Sequence, residues 1–395
     1  MICLQRATIA TDSDKTWLLH EASKNNMRSS SGAHYIALDH VRALAAFMVF
    51  AWHFTHAVDG YPVPFDYTPT LFPLALLDEG HTGVALFMTL SGYLFAKLLD
   101  GKTIHYGAFI WNRFLRLVPL LAVVVVAVGI IKFLAGANLR AYLEAIMRGV
   151  IFPSLPNGGW SITVEFHYYL ILPLFLWLLR RSRWLPLSLI AAAMVVRGLI
   201  YQEKGDIQTL AYWTIVGRID QFALGMLVFQ FRASFAGRHG VALATLLGFT
   251  GFYWYFDALG GFYQHAPDAA HSALWIFLPT LEGVAYAVGI AWYESSFTPS
   301  MSGVSRFVGR LGEYSYSIYL LHFFVVFQAS LFVHEHVLDL SNFYLACLVA
   351  LLFYIAMMPI GYLSFRYIEA PFLRLRKRYI VDPQSGQAVL AQAKT

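Results

Sequence analysis

Long apolar runs recur along this chain, each about the length of a membrane-crossing helix and each closed by charged or turn-forming residues. In order they predict helices at Leu38 to Val58, His81 to Leu98, Phe109 to Phe133, Ser161 to Leu179, Leu185 to Tyr201, Leu210 to Phe231, Val241 to Phe256, Ala273 to Trp292, Tyr314 to Val333 and Phe343 to Phe365. A spanning helix takes about 20 mostly apolar residues, because the hydrocarbon layer is about 30 Å thick and a helix rises about 1.5 Å per residue. The sixth run is the weakest, with Arg218 and Asp220 near its middle. The amphipathic stretch from Leu139 to Ile151 is too short to cross and suits an interface. The short alternating strands of a β-barrel are not part of the pattern. The expected fold class is therefore all-α, a polytopic transmembrane helical bundle of about ten helices.

Composition agrees with lipid as solvent. Of 395 residues 58% are hydrophobic and only 13% charged, too few polar groups to cover a soluble particle. Lys and Arg fall unevenly between the runs. If the amino terminus lies inside, 21 of the 28 occupy inner segments. Five, Lys132, Arg140, Arg148, Arg197 and Lys204, occupy outer ones, and Arg42 and Arg218 lie within helices. That asymmetry predicts both termini to be cytoplasmic. It also accounts for the net charge of +5 without a nucleic-acid partner, and the basic run near the carboxyl end suits an anionic inner leaflet. Residues 1–35 are polar and lack a signal-peptide core, so they read as a disordered cytoplasmic tail in which Met27 is an alternative start. Residues 36–375 form one transmembrane domain and 376–395 a basic, flexible tail. Cys3 and Cys347 suggest neither a disulfide nor a metal site.

Ionisable groups inside spans are costly and are candidates for function. Arg42 and His53 lie eleven residues apart on the first helix. At about 100° and 1.5 Å per residue they share one face, roughly 16 Å apart along the axis. One reading has Arg42 reaching the inner headgroups and His53 bonding a neighbouring carbonyl. The shared face favours the other, in which His53 takes a proton from an alcohol while a second group fixes its tautomer. Glu165, one to two turns below the outer surface, has the right depth to be that group. Asp220 and Arg218 suit an internal ion pair, whereas the facing of Glu282 and His322 is open.

Leu38-Asp39-His40-Val41-Arg42 followed by His53 resembles the opening signature of the acyltransferase 3 family of bacterial membrane acyltransferases. Further blocks follow in that family's order: Gly83 to Leu94 containing Ser91-Gly92, Arg113-Phe114-Leu115-Arg116 with Pro119, and Trp160-Ser161-Ile162-Thr163-Val164-Glu165 with Tyr169 and Pro173. Two more, Ser315 to His322 and Ile368-Glu369-Ala370-Pro371-Phe372, close the series. The likeness spans about Leu38 to Leu375, without the hydrolase-like periplasmic domain that some relatives append. His40 stands where Gly is common and Ala85 where an acidic residue is frequent, departures that bear on substrate preference.

The resemblance implies transfer of an acyl group, usually acetyl, from cytoplasmic acyl-CoA to a hydroxyl of an extracytoplasmic or lipid-linked glycan. It places such an enzyme in the bacterial inner membrane, and with no appended domain the acceptor is read by the membrane domain or a partner protein. It also implies that His53 is catalytic and that Arg42, Arg113 and Arg116 belong to the acyl-CoA site, although Arg113 is equally an ordinary positive-inside residue. Arg113 and Arg116 share a helix face, and guanidinium groups suit phosphate. His53 is expected as base or transient acyl carrier with Glu165 orienting it. Ser161, Tyr169 and His322 are candidate substrate or oxyanion contacts, though a helical Ser or Tyr more often bonds its own backbone. The outer loop from Asp59 to Gly80, aromatic and without Lys or Arg, suits either a glycan or the interface. The alternative function is a transporter or flippase for a lipid-linked saccharide, which would also hold charges in an internal cavity.

Overall fold

A computed structural model describes residues 35–263 and 273–381 of the chain. It is all-α, 77% helical. The principal helices are α1 (Ile36–Thr55), α2 (Gly83–Leu99), α3 (Tyr106–Leu134), α4 (Leu139–Gly149), α5 (Gly159–Arg181), α6 (Pro186–Lys204) and α7 (Ile215–Phe229). They continue with α8 (His239–Ala258), α9 (Leu278–Ser296), α10 (Gly303–Glu313), α11 (Ser315–Leu321), α12 (Val326–His336), α13 (Phe343–Ser364) and α14 (Ala370–Leu373). Of the tail expected at residues 1–35, residues 1–34 lie outside the described residues, as does the segment 382–395.

Among the described residues five helices are long and apolar enough to cross a membrane: α1, the helical stretch Gly80–Leu99 that contains α2, α3, α5, and the stretch Phe343–Leu373 that begins with α13. Ser315–Phe324 and Val326–His336 are long and apolar enough only as a pair, and they meet at 57°. The other four expected runs also fold as helices, α6, α7, α8 and α9, of which α7 has only 15 residues. The amphipathic α4 packs beside α3, where the Tyr142 hydroxyl donates to the Val125 carbonyl at 2.6 Å.

Small residues let the central helices approach closely. A Cβ on Gly92 of α2 would stand 2.1 Å from the Phe222 carbonyl oxygen of α7, and one on Gly225 of α7 would stand 2.1 Å from that of Thr89 on α2. The two helices therefore meet backbone to backbone, the contact that membrane bundles use in place of a hydrophobic drive between helices. Tyr168 of α5 stacks on Phe222 with ring centroids 4.0 Å apart, extending the same core.

The ion pair expected between Asp220 and Arg218 does not form. Residues two apart on a helix project to opposite sides, and each finds a partner on another helix. Arg197 of α6 grips Asp220 with two guanidinium nitrogens, at 2.7 and 3.2 Å. Arg218 reaches Glu282 of α9 at 3.3 Å, and Glu282 also accepts from Thr82, Gln221 and Tyr253 at 2.6 to 2.8 Å. All four charged groups are buried.

After α13 the chain winds through a π-helical turn, Phe365–Glu369, and then α14. A short strand β2 (Ile380–Val381) pairs antiparallel with β1 (Thr103–Ile104). Asn112 of α3 holds both backbone polar groups of Lys377, its amide donating at 2.7 Å and its carbonyl accepting at 2.9 Å. Residues 376–381, expected to open a flexible tail, are thus strapped to the bundle, because β1 and Asn112 satisfy backbone groups that a free tail would leave to water.

Candidate active site

A cavity of about 270 Å³ opens near the first turns of α1. Asp39 and Arg42 of α1 line it, with Phe87 and Ser91 of α2, Arg113 and Arg116 of α3, Ser161, Glu165 and Tyr169 of α5, and Tyr316 and Tyr319 of α11. The three arginines expected to act together therefore share one space. Their charges are handled differently. Arg42 pairs with Asp39 one turn earlier. Arg116 donates to Glu369 at 2.8 Å and lies over the Tyr316 ring. The π-helical turn supplies that carboxylate, which also accepts from Ser317. Such turns are frequent at functional sites. Arg113 rests over the rings of Phe95 and Phe109, at 5.3 and 5.6 Å, and its Nε has no hydrogen-bond partner among the described residues.

Glu165 belongs to this cavity and not to His53. It accepts from the Tyr169 hydroxyl and from Ser91 at 3.3 Å, and no hydrogen bond or ion pair joins it to His53 among the described residues. The face of α5 that carries it turns toward α2. The Ser161 hydroxyl donates to the Gly158 carbonyl at 2.8 Å and meets the Tyr319 hydroxyl at 2.9 Å. The hydroxyls of Ser161 and Tyr169 are therefore both engaged, which leaves neither as a ready oxyanion donor.

His53 sits half-buried in the last turn of α1. Its Nδ1 is 2.9 Å from the Val49 carbonyl and 3.4 Å from Nε2 of His322. A carbonyl only accepts, so Nδ1 carries the proton and Nε2 keeps its lone pair. His322 has the same tautomer, since its Nδ1 is 2.7 Å from the Tyr319 carbonyl. Its Nε2 lone pair then faces the His53 Nδ1–H. The carbonyl bond of the structural reading is present, and it is what fixes the tautomer the catalytic reading needs. Among the described residues the Nε2 atom of His53 has no hydrogen-bond partner.

The break between α11 and α12 produces this pair. α11 tightens into the 3₁₀ turn His322–Phe324 before α12 departs, and that turn lays the His322 ring beside His53 with centroids 5.1 Å apart. Phe323, 4.6 Å from the His53 ring, and Trp52 enclose the site. The loop that follows α1 folds over it: Phe65 stacks on Tyr263 at 3.7 Å, and Tyr263 stacks on Trp52 at 5.4 Å.

Cavity and imidazole pair do not merge into one channel. His53 is not among the cavity's lining residues, whereas Phe87 and Tyr319 are. Those two rings meet edge to face at 5.9 Å, and the Tyr319 ring lies 6.1 Å from that of His322. Tyr319 is thus the side chain between the two halves of the site. It falls inside the Ser315 to His322 block, but helical spacing alone gave no sign of its place.

Residues 35–365 match a family model described as an acyltransferase domain. No curated protein and no solved structure matches the chain.

Proposed function

The chain belongs to that acyltransferase family, whose members act in membranes, and from this premise we propose that it moves an acetyl group from acyl-CoA to a hydroxyl of an extracytoplasmic or lipid-linked glycan. The observation that supports this most is on α1 itself. Arg42 near one end lines a cavity with Arg113 and Arg116, and His53 near the other end presents an Nε2 lone pair. With both termini cytoplasmic, as the charge asymmetry favours, the cavity faces the cytoplasm and His53 the opposite side.

In this reading the coenzyme phosphates lie among the arginines, where charge-assisted bonds to guanidinium are strong. The amides of the pantetheine arm find Ser91, Glu165 and Tyr169 along the wall. The rise from Arg42 to His53, about 16 Å at 1.5 Å per residue, is on the scale of that arm. For the thioester to arrive, the Phe87–Tyr319 pair must part. His53 Nε2 then removes the proton of the acceptor hydroxyl as its oxygen attacks the thioester carbon. The C–S bond breaks, and the thiolate of coenzyme A recovers the proton from the imidazolium. His322 stabilises that imidazolium through the Nδ1–H bond, the part first assigned to Glu165. A transient acyl-His53 would use the same lone pair.

Membranes carrying the protein, given radiolabelled acetyl-CoA and candidate glycans, test the proposal. Label is expected on a glycan with wild type and lost with His53→Ala. Equal transfer by the variant removes His53 from the mechanism.

A further inference from the structure

The carboxyl-terminal strap brings a residue to the cavity that its position in a basic run did not single out. Arg374, Lys377 and Arg378 are exposed, as a run beside an anionic leaflet should be, but Arg376 is half-buried and lines the cavity with Arg113 and Arg116. The strap is held immediately beyond it. Lys377 is clamped by Asn112, the Tyr379 carbonyl accepts from the His105 amide at 2.9 Å, and the buried Tyr379 ring packs 5.5 Å from Phe109.

Glu165 and Glu313 also line the cavity, but among the described residues no carboxylate pairs with Arg376. Asp39 is engaged by Arg42 and Glu369 by Arg116. The Nε atoms of Arg376 and Arg113 are buried and have no hydrogen-bond partner among the described residues. Burial, and then the neighbouring charges of Arg116 and Arg113, press the Arg376 pKa down from its ordinary value. An arginine that merely reached toward headgroups would keep its guanidinium in water.

We propose that Arg376, carried in on the strap, is a fourth guanidinium of the donor site and binds a phosphate of the acyl carrier. The inference rests on the reading of the cavity as an acyl-CoA site. It makes the strap a wall of the active site, and it makes the phosphates of the donor, more than its acyl chain, the part this segment selects.

The test compares two donors with the purified full-length protein: acetyl-CoA, and acetyl-pantetheine, which carries the same thioester without phosphates. Arg376→Gln is expected to raise KM for acetyl-CoA about tenfold or more, the scale of one charge-assisted bond, while acetyl-pantetheine is used at the wild-type rate. Arg376→Lys recovers part of the loss, and Arg374→Gln, on an exposed neighbour, changes neither donor. An unchanged KM for acetyl-CoA in Arg376→Gln overturns the inference and leaves the acyl-CoA reading standing. An equal loss on both donors also overturns it, because a misfolded or loosened cavity does not distinguish them. A wild-type protein that accepts neither donor brings down the reading and the inference together.

Discussion

Replacing His322 by Ala separates the two imidazoles of the site. The change leaves the His53 Nδ1–H bonded to the Val49 carbonyl at 2.9 Å, so the tautomer survives and Nε2 remains a base. What disappears is the His322 Nε2 lone pair, 3.4 Å from that N–H, which gains most when His53 is protonated in the transition state. Hydrogen bonds to charged groups contribute about 1.5–3 kcal/mol, and one this long belongs near the lower limit. Since about 1.4 kcal/mol is a factor of ten in rate, kcat is expected to fall about tenfold. KM for acetyl-CoA should not move, because His322 does not line the donor cavity. His53→Ala, which removes the base itself, is expected to cost about 10²- to 10⁴-fold. His322→Gln restores an acceptor oxygen and much of the volume, so it should recover most of the rate. The assay is initial-rate acetyl transfer in detergent-solubilised membranes, with a thermal melt of each variant to exclude unfolding. A rate within twofold of wild type for His322→Ala refutes the assigned role. A loss equal to that of His53→Ala, not rescued by Gln, makes His322 the reacting base instead.

Glu282→Ala strands Arg218 in the bundle without its carboxylate and is expected to destabilise the fold by about 3–5 kcal/mol. Adding Arg218→Met should return the melting temperature toward wild type, and a single variant that melts like wild type contradicts the pairing. Gly92→Ala sets a methyl 2.1 Å from the Phe222 carbonyl and should lower stability by about 1–3 kcal/mol or more through overpacking. Gly248→Ala, with open space around it, should be neutral or stabilising by up to about 1 kcal/mol from helix propensity. Equal melts for the two would remove the close α2–α7 contact.

What could be read from sequence depended on how local the signal was. Arg42 and His53 share a helix, so their spacing followed from helical geometry; Arg42 lines the cavity and His53 meets His322. Arg113 and Arg116 reached the cavity for the same reason. Pairings between helices were not accessible in this way. The position of Glu165 along the chain leaves the azimuth of α5 undetermined, and α5 turns that carboxylate toward Ser91. Arg218 and Asp220 are neighbours in sequence and strangers in space. The partner of His53 depended on a helix break at His322–Phe324, which the unbroken apolar run from Tyr314 to Val333 conceals. Arg376 looked like one basic residue among several, because only the strap's backbone bonds to Asn112 and β1 distinguish it.

The central claim is that the membrane separates donor from acceptor and that α1 bridges them. Proteoliposomes with glycan acceptor trapped in the lumen and radiolabelled acetyl-CoA added only outside test it directly. The account predicts label on the luminal glycan with wild type, none with His53→Ala, and no release of acetyl-CoA into the lumen. Label that appears only on acceptor supplied on the same side as acetyl-CoA would contradict it.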